Sequence, residues 1–225
     1  MHTKRHERVA DAKALQEQLR HVYWIGGGSG AGKSTIARRL AAEYGLHYYA
    51  TDDVMADHAK RSTPESCPYL QKFMAMDMDE RWVNRSPHAM LETFHWFRGE
   101  GFRMIIGDLL HLPKEPGVIA EGFRLLPYLV APLLAVRRHA VWLLPSPAFR
   151  QAVFASRGGP QWGFIGKTSN PEQALRNVLA RDTMFTDRLS EEAKRLEMKS
   201  IPVDATMTVD DLTSHVVEVF GLSVS

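Results

Sequence analysis

The chain has 225 residues, 44% of them hydrophobic and 24% charged, which suits one globular α/β domain, residues 1–225, with a sizeable core. A net charge of +2 is too small to predict nucleic-acid binding, and the single Cys67 excludes an internal disulfide. No signal-peptide core opens the chain, and the longest apolar run, Leu125 to Val136, holds Pro127 and Pro132, so no membrane partner and a cytoplasmic setting are expected.

Residues 1–8 are polar. Val9, Ala12, Leu15 and Leu19 then recur at helical spacing, which predicts a short amphipathic helix covering the sheet edge. His21 to Ile25 is a β-rich run. It leads into Gly27-Gly28-Ser29-Gly30-Ala31-Gly32-Lys33-Ser34-Thr35, which fits the P-loop pattern G-x-x-x-x-G-K-[ST]. Glycines let the backbone turn tightly, so that successive N–H groups point inward at an anionic phosphate. Lys33 carries a charge able to reach the β- and γ-phosphates, and the Ser34 hydroxyl is placed to ligate Mg2+. Ile36, Leu40, Ala41 and Tyr44 follow at helical spacing, and Gly45 supplies the stop. Strand, glycine-rich loop and helix is the context the motif requires.

Leu46 to Ala50 reads as a second strand, ended by Thr51-Asp52-Asp53. Residues just past the carboxyl ends of parallel strands line the ligand crevice, so two carboxylates are expected there, one acting and one capping the next helix. Residues 54–112 read as helical. Their stripes run Leu70, Phe73, Met74, Met78, then Met90, Leu91, Phe94, Phe97, then Phe102, Ile105, Ile106, Leu109, Leu110. Arg81 and Arg85, with Trp82, His88, His95 and Trp96, lie on this insertion as candidate acceptor clamps or as plain surface and packing residues. Val118 to Glu121 is a short buried strand ending in an acid, in the manner of a Walker B segment. Glu121 is the second metal candidate, and Arg124 follows in the same crevice.

Ala140 to Leu144 is the fourth strand. Residues 156–168 are glycine-rich with basic ends, Arg157 and Lys167, as expected of a mobile lid over phosphates. Pro171 opens a helix carrying Arg176, Arg181 and Arg188. Ile201-Pro202-Val203 is an edge strand, since proline cannot donate to a ladder. Asp210 to Phe220 is the closing helix.

Five short strands, a phosphate loop after the first, an acid after the second and a lid near the C-terminus resemble the P-loop nucleoside, nucleotide and small-metabolite kinases, among them uridine-kinase-like and antibiotic-phosphorylating enzymes. The likeness covers nearly the whole chain in layout, with the P-loop as its one specific motif. It implies an α/β three-layer P-loop NTPase fold. Its five-stranded parallel sheet has the order 2-3-1-4-5, with helices on both faces and a helical insertion between strands 2 and 3. It also implies ATP and Mg2+ as cofactors and a small-molecule hydroxyl or phosphate acceptor. Asp52 matches the acid that activates the acceptor hydroxyl, and Arg181-Asp182 matches an Arg-Asp pair after the lid. Asp204, in Val203-Asp204-Ala205-Thr206, falls in the loop that packs on adenine. The insertion matches no acceptor-specific signature, so the acceptor stays open. So do the choice of ATP or GTP and the oligomeric state. A nucleotide-dependent switch or assembly ATPase is the alternative, although the base-reading N-K-x-D motif of a Ras-type GTPase is missing.

Overall fold

The computed structural model describes residues 11–223. A helix whose described part covers 11–18 (α1) precedes β1 (Val22–Gly27) and α2 (Lys33–Tyr44). Then come β2 (His47–Ala50) and five helices: α3 (Met55–Arg61), α4 (Pro68–Ala75), α5 (Met78–Trp82), α6 (Pro87–Thr93) and α7 (Phe102–His111). The chain continues through β3 (Val118–Glu121), α8 (Pro127–Val130), β4 (Ala140–Pro145), α9 (Pro147–Ser156), α10 (Pro171–Arg195), β5 (Lys199–Val203) and α11 (Val209–Phe220).

All strand pairs are parallel, and the order is β2-β3-β1-β4-β5. With the phosphate loop at the end of the central strand, this is the three-layer P-loop NTPase fold that the resemblance implied. Alternation along the strands builds the two faces. Val22, Trp24, Ala120, Ala140 and Trp142 join one apolar layer with Phe185 and Leu189 of α10. Ile25, Ile119, Val141 and Leu143 join the other, against Ile36 and Leu40 of α2 and Leu212, Val216 and Phe220 of α11. Strands covered on both faces have no polar face to show, which is why they read as unbroken apolar runs.

The insertion between β2 and β3 is helical, as its stripes predicted. α5 and α6 pack on α10. Trp82, Met90, Phe154, Ile165, Ala174 and Val178 form a separate buried cluster there. One expectation needs correcting. The α1 segment enters beside interior strands, not along an edge: Leu15 and Leu19 join the β1–β4 layer, and His139 of the β4 entry bonds the Arg20 carbonyl at 3.2 Å. Val9, the first residue of that stripe, lies outside the described residues. Residues 156–168, the proposed lid, are folded. Short 3₁₀ turns at Gly159–Gln161 and Ile165–Lys167 carry it, and Ile165 is fully buried, because Trp162, Phe164 and Ile165 give the segment an apolar face of its own.

Candidate active site

The phosphate loop is shaped by β4 beneath it. Gly27 has φ 130°, and a Cβ there would sit 2.1 Å from the Leu143 carbonyl oxygen, so only glycine lets the strand end this close to its neighbour. α2 starts at Lys33 with Gly32 as its N-cap, and no side chain bonds to that end. The first-turn N–H groups are therefore left for an anion, and the helix dipole favours one. The Lys33 ammonium donates to the Gly28 carbonyl at 2.8 Å. Burial lowers its pKa, while the neighbouring Glu121, Asp52 and Asp182 raise it.

Arg150 of α9 braces the loop from below and is buried. It donates to the Ser29 carbonyl at 3.3 Å, to Thr183 Oγ1 at 3.0 Å and to Thr186 Oγ1. Nothing in the sequence marks it, since an arginine in an apolar helix has the same spacing whether it faces water or a loop carbonyl.

Asp52 follows β2, and Glu121 ends β3. The register pairs Glu121 with Ile25 of β1 and with Ala50 of β2, which sets this acid between the phosphate loop and Asp52. Glu121 is buried, and the Tyr48 hydroxyl donates to its Oε1 at 2.9 Å. Asp52 opens to water in the cleft yet stands in a wall of protein. Desolvation raises its pKa, against the pull of Lys33 and Arg124.

One cavity of about 470 Å³ contains Ser29 to Thr35 at one end. Its charged lining is three acids, Asp52, Glu121 and Asp182, and three cations, Lys33, Arg157 and Arg181. Arg181 is buried. Its Nε donates to Asp182 Oδ1 at 2.9 Å, and its guanidinium lies 4.8–5.2 Å from the ring centroids of Trp82, Phe94 and Phe97. Arg181 Nη1 and Asp182 Oδ2 are buried without a hydrogen-bond partner. Arg157 is exposed and lies 5.5 Å from the Trp162 ring centroid. Beyond these charges the cavity is aromatic. Trp82 and Phe164 pack at 4.4 Å, and Phe154 and Trp162 at 5.0 Å. His95, 2% exposed, lines the same cavity with Nδ1 unpartnered.

Five candidates stand elsewhere. Arg81 donates to the Phe73 and Met74 carbonyls at 3.0 and 2.9 Å, and Arg85 donates to the Ala89 carbonyl at 2.9 Å and to Thr93. Both are consumed in tying the insertion helices together and do not line the cavity. Asp53 is exposed and off the cavity, and it caps nothing, since α3 begins after Val54 with no side-chain cap. Asp204 is exposed as well, held in a turn by Thr206 N and Oγ1 at 2.8 and 2.6 Å. Arg124 lies behind the site: it donates to the Thr51 carbonyl at 3.2 Å and to His58 Nδ1 at 3.0 Å, and stacks 4.1 Å from the Trp96 centroid. His58 Nε2 in turn meets Asp108 at 2.7 Å, and the Tyr49 hydroxyl meets the same carboxylate at 2.8 Å. Gly122, φ 148°, closes this packing, because a Cβ there would fall 1.7 Å from Thr51 Oγ1.

Nucleotide phosphates fit the loop, whose uncapped helix start and nearby lysine are what an anion needs. Among the described residues no group of three or more His, Cys, Asp or Glu could hold a metal ion. Mg2+ asks for less, since it takes one or two protein oxygens and completes its shell with phosphate and water. Ser34 and Glu121, both on the cavity wall, supply that donor set.

The AAA domain family profile matches residues 26–93, under a third of the chain, from the end of β1 through α6. No curated protein matches. Among solved structures, the shikimate kinase from Acinetobacter baumannii in complex with shikimate is 18% identical. The match covers 92% of this chain and 95% of that one, at a TM-score of 0.37.

Proposed function

We propose that this protein is an ATP- and Mg2+-dependent small-molecule kinase, a phosphotransferase that moves the γ-phosphoryl group of ATP to an acceptor hydroxyl. One observation carries the reading: the phosphate loop, the Asp52 carboxylate and a roomy aromatic chamber share a single cavity. A switch protein needs the first of these and has no use for the third.

In this reading the P-loop N–H groups and Lys33 hold the donor phosphates. Ser34 and Glu121 would hold Mg2+, which would offset phosphate charge when bound. Asp52 accepts the proton of the acceptor hydroxyl as the oxygen attacks phosphorus and the bond to the β-phosphate bridge breaks. Its raised pKa suits a base, because a more basic carboxylate draws the proton harder. Lys33, Arg157 and Arg181 face the charge that builds on the transferred group, and stabilising that charge supplies most of the catalysis in phosphoryl transfer. The reaction belongs in a reducing cytoplasm, where the buried Cys67 stays a thiol.

The test is a phosphotransfer screen with ATP, Mg2+ and a panel of nucleosides, nucleoside monophosphates, sugars, amino alcohols and aryl alcohols. Acceptor-dependent formation of a phosphorylated product supports a kinase. Slow hydrolysis that no acceptor accelerates supports the switch or assembly ATPase instead.

A further inference from the structure

Tyr48 stands on β2, the edge strand of the sheet, and is only half-buried, so water alone could satisfy its hydroxyl. The hydroxyl turns inward instead and donates to Glu121 Oε1 at 2.9 Å, across 73 residues of chain. In the parallel register Tyr48 stands opposite Ile119, and Ala50 opposite Glu121. Side chains two apart on a strand share a face, so the phenol and the acid lie together on the face that α2 covers. α2 begins at Lys33 and Ser34, beside the phosphate loop. Glu121 lines the cavity there and Tyr48 does not. Among the described residues Tyr48 is the sole side-chain hydrogen-bond partner of Glu121, and Oε2 is left without one. The phenol is itself held: its ring packs on the apolar layer under α2, and the Arg38 guanidinium lies 5.2 Å from its centroid. A glutamate has one more side-chain torsion than an aspartate, and ordering it at the moment an ion binds weakens that binding. A carboxylate already held by one oxygen has lost this freedom beforehand.

We infer that Tyr48 is a positioning residue for the metal-side acid. Its hydroxyl holds Glu121 by Oε1 and leaves Oε2 as the oxygen available to Mg2+. This rests on the kinase reading above and deepens it, since it names what orders Glu121 before the ion arrives. Such outer partners of a metal-holding carboxylate touch neither ion nor substrate, yet their loss weakens the ion's hold. The neighbouring Tyr49 supplies an internal control. Its hydroxyl donates to Asp108 at 2.8 Å, the same kind of bond from the same strand, but Asp108 does not line the cavity.

The experiment is calorimetric binding of a non-hydrolysable ATP analogue to the full chain, in EDTA and across a Mg2+ titration. Wild type is expected to bind the analogue more tightly as Mg2+ rises. Tyr48→Phe, which removes one oxygen and keeps the ring, is expected to raise the Mg2+ concentration at half effect by about tenfold. Its affinity in EDTA should stay within about twofold of wild type, a split that a merely structural defect does not produce. Tyr49→Phe should leave the Mg2+ midpoint within about twofold. In a Glu121→Gln background, Tyr48→Phe should move the midpoint no further, because the phenol acts only through that acid. If circular dichroism shows Tyr48→Phe unfolded, Glu121→Asp carries the test: it keeps the charge, shortens the arm away from Tyr48, and should raise the midpoint by a similar factor. The inference is overturned by a wild-type midpoint in Tyr48→Phe or in Glu121→Asp, by an equal rise in Tyr49→Phe, by an equal loss of affinity in EDTA, or by an effect that persists in Glu121→Gln. Binding to wild type that ignores Mg2+ overturns it too. A raised midpoint in Tyr48→Phe, with no acceptor phosphorylated in the screen above, leaves it standing and sinks the kinase reading. Phosphate transfer with an unmoved midpoint does the reverse.

Discussion

The Lys33 ammonium closes across the phosphate loop onto the carbonyl of Gly28, 2.8 Å away and five residues back along the chain. Burial disfavours its charge, so the lysine adds little to stability and is held for what it can do. Lys33→Ala is expected to lower turnover by roughly 10³-fold or more, since the charge acts where phosphate charge builds. The melting temperature should stay within about 4 °C of wild type, as the relieved buried charge offsets one lost hydrogen bond. Steady-state kinetics and a thermal melt check both. Near-normal turnover sinks the phosphotransfer reading.

Asp52→Asn keeps the shape and removes the proton acceptor. Turnover should fall by roughly 10²–10⁴ while nucleotide affinity barely moves. The stability effect has the opposite sign. The folded Asp52 binds its proton more tightly than the unfolded one, because its pKa is raised by desolvation. Ionisation therefore costs stability as pH rises through the ordinary Asp value, and that cost is complete once pH exceeds the folded value. Asp52→Asn should melt higher than wild type at pH 7, with the gap closing below pH ~3.8. Melts across pH 3–8 test this, and a variant that melts lower at pH 7 contradicts it.

The strands, the phosphate loop and the helical insertion were legible because their signals are local. A buried parallel strand is an apolar run, and the loop is a string of residues that only one backbone shape explains. Asp52 and Glu121 were legible through the strand-end rule, which needs no knowledge of packing. The arginines were not. Arg81, Arg85 and Arg124 have the same sequence appearance as Arg181, yet three are bound to carbonyls and one lines the cavity. Which way each points depends on where α4, α6 and the β3–α8 loop pack, and no spacing encodes that. His95 stands out in the sequence only as one of several aromatic-rich positions. Its unpartnered nitrogen exists because of the rings around it.

Arg81→Ala and Arg85→Ala should separate stability from catalysis. Each removes at least one hydrogen bond to a partly buried carbonyl of the insertion, and a loss of about 1–2 kcal/mol in urea unfolding is expected. The KM for the acceptor and kcat should each change by less than about twofold. An acceptor KM raised tenfold by either change would return that arginine to the substrate site.

Arg124 tests whether the layer behind Asp52 matters to the chemistry. Its fork holds the Thr51 carbonyl, one residue before Asp52, and fixes His58 with Nδ1 as acceptor and Nε2–H toward Asp108. Desolvation lowers its pKa to about 10, so it is still a cation at neutral pH, and its field holds down the pKa of Asp52. Arg124→Lys keeps a charge but loses the planar fork, so it should not rescue the geometry. Both Arg124→Lys and Arg124→Met should lose about 2–4 kcal/mol in urea unfolding, because buried partners are left unmatched. Turnover should fall about tenfold in each as the Thr51–Asp52 turn loosens. The pH profile separates the two effects. Without the arginine's charge, Asp52 becomes harder to ionise, so Arg124→Met should move the acid limb of kcat/KM to higher pH than Arg124→Lys does. Equal acid limbs in the two variants would mean that Arg124 acts on Asp52 through packing alone, and wild-type turnover in Arg124→Met would mean that it does not act on Asp52 at all.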